Sequence, residues 1–296
     1  MTARRYCSEA APAEPLAGTA DPTDVWVLVE YRPAWAARAL ADNGLSPEVQ
    51  TWLREGVAAI AASGLRVRPQ FIRQPERVAD DHVLMIGRPG HLVEYRFPDH
   101  QAMAALDLAR AVEAAPGNVP PGATRLTEPH YFVCTNGQRD VCCARFGLPV
   151  YAALRARVGA RVWQITHVGG HRFAPNVLAL PQQALYGRVY PARVEDWLAT
   201  LESGRLAFAE LRGRTDHPAA VQAAEVFLGQ NDLRLRDLRV EVVDGTSVSV
   251  VRFDSPDGPL EIMVLEDEAG PLVQPSCGAP LERVPVYRSV GDSAAP

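Results

Sequence analysis

The chain contains no lysine; all 30 of its basic residues are arginine. We attribute this to the base composition of the gene rather than to function. Against 35 acidic residues the formal net charge is −5 and the pI about 5.8. No basic field therefore exists to gather phosphates, which argues against nucleic-acid binding. No apolar run approaches the roughly 20 residues needed to cross a bilayer. Behind Arg4 and Arg5 there is no apolar stretch either, because residues 8–18 are rich in Ala, Pro and Glu, so a secretory signal is not expected. Cysteine is scarce and badly arranged for disulfides: Cys7, Cys134, Cys142, Cys143 and Cys277 form an odd set with two adjacent members. Such a set suits a cytoplasmic protein, where cysteines more often bind metal or react.

The remaining composition is that of an ordinary globular protein, with 47% hydrophobic and 22% charged residues over 296 positions. That length suggests about two domains. Residues 1–22, rich in Ala and Pro, read as a lead segment. A β-rich run at 25–31 follows. Next comes a helix opened by Ser46 as N-cap with Pro47 in the first turn, and stopped at Gly64. Strands are expected at 65–73, 83–86 and 92–97, then a helix over 101–114, then a Pro/Gly linker over 115–122.

The same order of elements then returns. Strands are expected at 130–134, 161–166, 176–180 and 186–190, with a helix over 141–158 after Asp140 and another over 194–201. This repetition predicts an α/β chain with two thioredoxin-like units, at 23–118 and 119–208, the second carrying the site. A small C-terminal α+β domain and tail would occupy 209–296. There a helix over 218–228 precedes a hairpin centred on Asp244-Gly245 and a strand at 260–265.

Metal-binding side chains concentrate between Cys134 and His171. Eight residues separate Cys134 from Cys143, and three separate His167 from His171. Cys134 ends a strand, Cys143 opens a helix, His167 ends another strand and His171 follows on a turn; in open α/β sheets such ends gather where ligands bind. Gly169 and Gly170 disfavour a helix but permit a tight loop that turns both imidazoles to one metal. Cys143 falls in the first helical turn, where N–H groups and the helix dipole stabilise a thiolate. Gly137 lets the 135–139 loop fold back. Cys142 points about 100° away from Cys143 on a helix and is read as a buried neighbour.

Structural zinc commonly uses shorter Cys–Cys spacings, although zinc remains chemically open. Two cysteines and two histidines suit a [2Fe–2S] cluster with one iron on thiolates and the other on imidazoles. Formal charges then cancel in the oxidised state, so the potential should exceed that of plant-type ferredoxins. The added electron favours protonated imidazole, coupling electron to proton uptake. The rival readings are a metal-free thiol oxidoreductase, which normally uses a C-x-x-C spacing, and a structural zinc module.

The stretch C-T-N-G-Q-R-D-V-C-C, followed by H-V-G-G-H-R-F-A-P-N, resembles the sucrase/ferredoxin-like family. The family pattern of C-x8-C and H-x-G-G-H falls on Cys134, Cys143, His167 and His171. The resemblance implies a thioredoxin-like ferredoxin with a bis-histidine [2Fe–2S] cluster. Such a protein would act in electron transfer or redox sensing with an unidentified redox partner protein, and not as an enzyme. The "sucrase" in the family name implies glycosidase chemistry, but that needs two positioned carboxylates, and no such pair stands out. Arg139, Arg145 and Arg172 could form a positive collar for an acidic partner, or be engaged in salt bridges. Trp163 and Phe173 could shield the cluster or simply pack the core.

Overall fold

The computed structural model describes residues 6–10, 13–113, 118–229, 238–242, 247–255 and 258–290. The chain is α/β and divides into two compact units. A sheet unit comprises Thr23–Val168 and Val177–Gln183; a terminal unit comprises Met1–Pro22, Gly169–Asn176 and Ala184–Pro296. The first element, the one-turn helix α1 (Cys7–Ala10), belongs to the terminal unit.

The sheet unit begins with β1 (Val25–Glu30), all six of whose residues are buried, as a central strand covered on both faces requires. Helix α2 (Pro47–Ala62) starts where the sequence predicts: Ser46 accepts the Val49 N–H and Pro47 fills the first position. Strands β2 (Val67–Arg73), β3 (His82–Arg88) and β4 (His91–Phe97) follow. The single helix expected over 101–114 is instead two short ones, α3 (His100–Met103) and α4 (Leu108–Glu113). The break has an identifiable cause. The Leu106 carbonyl is taken by the Trp52 indole N–H at 2.7 Å, and the Asp107 carboxylate accepts the Arg110 N–H, restarting the helix as a cap does. Of the expected linker, residues 115–117 lie outside the described residues, as does residue 114 at the end of the expected helix.

After β5 (Thr124–Arg125) comes β6 (His130–Cys134), then α5 (Val141–Val158), β7 (Val162–Ile165) and β8 (Val177–Leu180). The spatial order in this unit is β8-β6-β7-β2-β1-β3-β4-β5. β1 is parallel to β2, with β3 antiparallel on its other side; β6 is parallel to β7, with β8 antiparallel on its other side. The two repeats join through their equivalent second strands, β2 and β7, which run antiparallel with Ile72 opposite Ile165. That pairing gives the sheet a local two-fold relation between repeats. Helices α2, α3 and α4 cover the first repeat, burying Val49, Leu53, Ile60, Met103 and Leu108.

In the terminal unit, β9 (Ala184–Tyr186) pairs antiparallel with β10 (Leu211–Arg214), and α6 (Val194–Glu202) lies between them in sequence. β9 overlaps the expected 186–190 strand only at Tyr186. Arg188 turns to a positive φ of 56° and gives its N–H to the Phe173 carbonyl, while Gly187 N–H goes to Glu210. Helix α7 (Ala219–Leu228) packs on a four-stranded antiparallel sheet, β11 (Leu238–Val242), β12 (Val248–Ser255), β13 (Gly258–Asp267) and, beyond the pair β14 (Leu272–Val273) and β15 (Glu282–Arg283), β16 (Val286–Val290). The Asp244-Gly245 turn lies outside the described residues, and the strands flanking it pair as a hairpin.

Candidate metal centre

Cys134 is the last residue of β6, paired across the ladder with Ile165, and is buried. Helix α5 packs directly on this strand end. A Cβ on Gly147 would collide with the Cys134 carbonyl oxygen, so the close approach depends on a glycine there. The loop between them is fixed by Asn136, whose amide donates to the Ala36 carbonyl and whose side-chain oxygen accepts the Arg139 N–H. Gly137 lies against Ala144 of α5, whose Cβ is 2.7 Å from where a Gly137 Cβ would sit.

Asp140 caps α5 by accepting the Cys142 N–H at 2.8 Å, which places Cys143 in the first turn among the helix N–H groups. His167 follows β7 by two residues. The residue before it, Thr166, is clamped to β2: its N–H donates to the Phe71 carbonyl at 2.9 Å, and its hydroxyl accepts the Phe71 N–H at 3.0 Å and contacts Gln70. The His167 carbonyl accepts from Arg68.

Cys134, Cys143 and His167 thus come together. Their ligand atoms all lie within 4.8 Å of one another, with Cys143 Sγ 3.9 Å from His167 Nδ1. The group could hold a metal ion. The two thiols are electrostatically unlike. The hydrogen bond from Cys143, reinforced by His167 and by the Val168 N–H, holds Cys134 well below the usual thiol range despite its burial. Donating to Cys134, together with burial, pushes Cys143 well above that range. A metal bound here would have to displace the protons that the two sulfurs carry. Cys142 is buried and is not part of this group.

The fourth expected ligand, His171, belongs to the terminal unit and is not part of the three-residue group. It opens a single 3-10 turn, His171–Phe173, after Gly169 and Gly170, both at positive φ (89° and 64°). This turn is held by residues that sequence reasoning did not single out. Arg212, buried on β10, donates to the Gly169 carbonyl at 2.9 Å and to the Asn176 side-chain oxygen at 3.0 Å, and reaches Thr19. Its guanidinium lies 4.8 Å from the Phe173 ring centre. The Asn176 amide in turn donates to the Gly170 carbonyl. A Cβ on Gly170 would come within 2.6 Å of the Arg212 guanidinium. The only sequence signal was Asn176, at the end of the H-R-F-A-P-N run.

The three arginines of the expected collar differ. Arg172 is committed to an ion pair with the buried Glu14 at 2.9 Å. Arg145 lies over the Phe146 ring, and Arg139 is exposed with no ion pair among the described residues. Trp163 and Phe173 are both buried, Phe173 among Arg172, Arg188 and Arg212. Beside His167, a cavity of about 240 Å³ is lined by Arg38, Leu40, Gln70, Asn136 and Arg139. No helix among the described residues is long and apolar enough to cross a membrane.

A family model described as sucrase/ferredoxin-like matches residues 16–213. Two curated relatives carry the name Altered inheritance of mitochondria protein 32. The one from Meyerozyma guilliermondii is 31% identical over 99 residues, 30% of this chain and 35% of that protein. The one from Clavispora lusitaniae is 26% identical over 148 residues, 43% of this chain and 52% of that protein. The chain thus matches about a third to a half of the length of these relatives. No solved structure matches.

Proposed function

The chain belongs to the sucrase/ferredoxin-like family, and from that premise we propose that it binds a [2Fe–2S] cluster through Cys134, Cys143, His167 and His171 and acts in electron transfer or redox sensing. The observation that carries this reading is the convergence of two sulfurs and one ring nitrogen, from three separate element ends, within 4.8 Å. The donor chemistry fits. Cys134 is already held toward thiolate by hydrogen-bond donors, and Cys143 sits at a helix N-terminus suited to an anion. When bound, such a cluster supplies one-electron transfer.

The chain's own residues do the rest. Val168 N–H and the α5 N-terminus stabilise sulfur charge, Gly147 lets the helix seat Cys143 beside Cys134, and Thr166 fixes the backbone from which His167 projects. His167 presents Nδ1 to the sulfurs, leaving Nε2 as the proton-bearing atom through which reduction couples to proton uptake. Arg212 and Asn176 set the shape of the turn that bears His171. The repeated parallel pair flanked by an antiparallel strand supports reading both repeats as thioredoxin-like, with only the second equipped for metal. The exposed Arg139, at the cavity beside His167, offers a positive contact for an acidic redox partner protein. The relatives' name concerns inheritance of mitochondria, and fractionation of the native host decides between a mitochondrial association and the cytoplasmic expectation.

Absorption and electron paramagnetic resonance spectra before and after reduction, with iron and sulfide analysis, test the proposal. A red-brown protein with thiolate-to-iron bands and nitrogen hyperfine coupling is expected; a colourless protein with equimolar zinc rejects it. A second reading has one observation behind it: a low-range thiol beside its partner thiol suits metal-free disulfide exchange. Turnover of a disulfide substrate that survives loss of both histidines would favour that reading instead.

A further inference from the structure

Three cysteines remain outside the metal centre, Cys7, Cys142 and Cys277, and two of them, Cys7 and Cys277, lie at opposite ends of the chain and in the same unit. Cys277 Sγ lies 3.7 Å from Cys7 Sγ and accepts the Cys7 backbone N–H at 3.5 Å. Cys7 is buried and Cys277 partly exposed. Helix α1, which begins at Cys7, packs against the His171–Phe173 turn, and Glu14 just beyond it holds Arg172. We propose that Cys7 and Cys277 are a thiol pair that closes to a disulfide and so clasps the N-terminal segment over the turn bearing His171.

The oxidant is a low-molecular-weight disulfide such as glutathione disulfide. Cys277, the reachable thiol, loses its proton beside the Cys7 N–H, and its sulfur attacks the oxidant. One glutathione thiolate leaves, and a mixed disulfide remains on Cys277. Cys7, deprotonated in turn, attacks the Cys277 sulfur and expels the second glutathione. The two chain thiols together lose two electrons and two protons, and the oxidant gains them as two glutathione thiols. A bond between positions 7 and 277 closes nearly the whole chain into one covalent loop, so opening of the N-terminal segment is disfavoured. Bond formation does not depend on the cluster reading, since neither sulfur belongs to the proposed ligand set.

The test uses the full chain equilibrated in glutathione redox buffers, with peptide mapping under non-reducing conditions. A Cys7–Cys277 linked peptide should appear under oxidising poise and vanish with dithiothreitol. Amide hydrogen exchange at Phe173 and Ala174, whose N–H groups bond to Gly170 and His171 carbonyls, should slow about tenfold on oxidation. In Cys277→Ser, and separately in Cys7→Ala, the link and the oxidant-dependent slowing should both vanish. Absence of the link, linkage of either cysteine to Cys142, stoichiometric zinc retained by the pair, or unchanged exchange on oxidation would each overturn the proposal. Iron content, read in the same samples, reports separately on the metal centre.

Discussion

The two repeats of the sheet unit present the same backbone position to very different chemistry. Ile72 and Ile165 face each other across the joint; Glu30 pairs with the first and Cys134 with the second, so Glu30 and Cys134 are equivalent by register. Glu30 is fully buried, and its carboxylate is saturated by Arg32 at 2.9 Å, Arg77 at 3.1 Å and the Val83 N–H at 2.9 Å. Two residues beyond the matched isoleucines lie Gln74 in the first repeat and His167 in the second. Gln74 spends its amide on the Ala160 and Val162 carbonyls, both at 2.8 Å, tying the repeats together. One frame thus has its polar groups satisfied internally, and its twin directs sulfur and nitrogen toward a common point. The difference shows that a strand-end position is neutral as architecture, and that the side chains there decide whether it becomes a joint or a ligand.

The largest way to break this comparison is to exchange the roles of the equivalent residues. Cys134→Ala should abolish iron retention, measured by metal analysis after reconstitution, while leaving the unfolding midpoint of the apo chain close to wild type. Glu30→Ala should do the reverse. It removes the buried acceptor shared by Arg32, Arg77 and the Val83 N–H, although Arg77 keeps its ion pair with Asp81, and should cost about 1–3 kcal/mol in urea unfolding, with iron stoichiometry in the folded fraction unchanged. If Glu30→Ala lost iron as completely as Cys134→Ala, the division of labour between the repeats would be wrong.

A smaller effect sharpens the second equivalence. His167→Cys replaces a neutral donor with an anionic one, so the variant should still assemble a cluster but with a midpoint potential about 100 mV or more lower, toward plant-type values. Its pH dependence should also weaken, because one proton-bearing imidazole is gone. Equal potentials by spectroelectrochemical titration would contradict the charge argument. Gly147→Val acts at one remove. The added side chain meets the Cys134 carbonyl, should cost about 1–3 kcal/mol by overpacking, and should speed iron loss to a chelator. A glycine of α2, Gly56, faces the Leu108 side chain, which can shift more readily than a carbonyl, so Gly56→Val should cost less.

Much of this was legible in the residues. The caps Ser46 and Asp140, the ends of α2 and α5, and the order of elements in both repeats follow from side-chain chemistry that acts within a few positions. The grouping of Cys134, Cys143 and His167 was legible because each falls at the end of an element whose limits were predictable. What escaped depends on partners distant in sequence. β10 reads as Leu-Arg-Gly-Arg, which looks like a solvated loop, yet Arg212 is buried against Gly169 and Asn176, and Arg214 against Glu225 at 2.7 Å. A buried arginine is indistinguishable from a surface one until its acceptors are known. The break between α3 and α4 was hidden likewise, since the Trp52 indole comes from 54 residues away. The β2–β7 joint involves strand edges, whose pairing no local pattern specifies.

The smallest effect concerns the far ends of the same strand pairs. Asp24 precedes β1, and its carboxylate accepts the Arg66 N–H and Nε, each at 2.8 Å, bracing the start of the β1/β2 pair. At the equivalent corner of the second repeat Arg161 donates to the Pro129 carbonyl at 3.0 Å, while its contact with the largely exposed Glu128 carboxylate is a loose 3.6 Å. Burial pushes the Asp24 carboxyl up, but the hydrogen bonds and charge of Arg66 outweigh it and hold the group below its ordinary value of 3.8. A carboxylate lowered on folding contributes stability that is complete above its unfolded-state value and lost as pH falls through the folded-state value. Asp24 should therefore stabilise the sheet unit at neutral pH and cease to do so in the region below pH 3.8. Because Arg66 is partly solvated, the contribution should be no more than about 1 kcal/mol. In urea titrations, Asp24→Asn should be less stable than wild type at neutrality, and the gap should close on acidification. Glu128→Gln should show no measurable gap at either pH, and a gap as large as that of Asp24→Asn would mean that the two corners are braced alike.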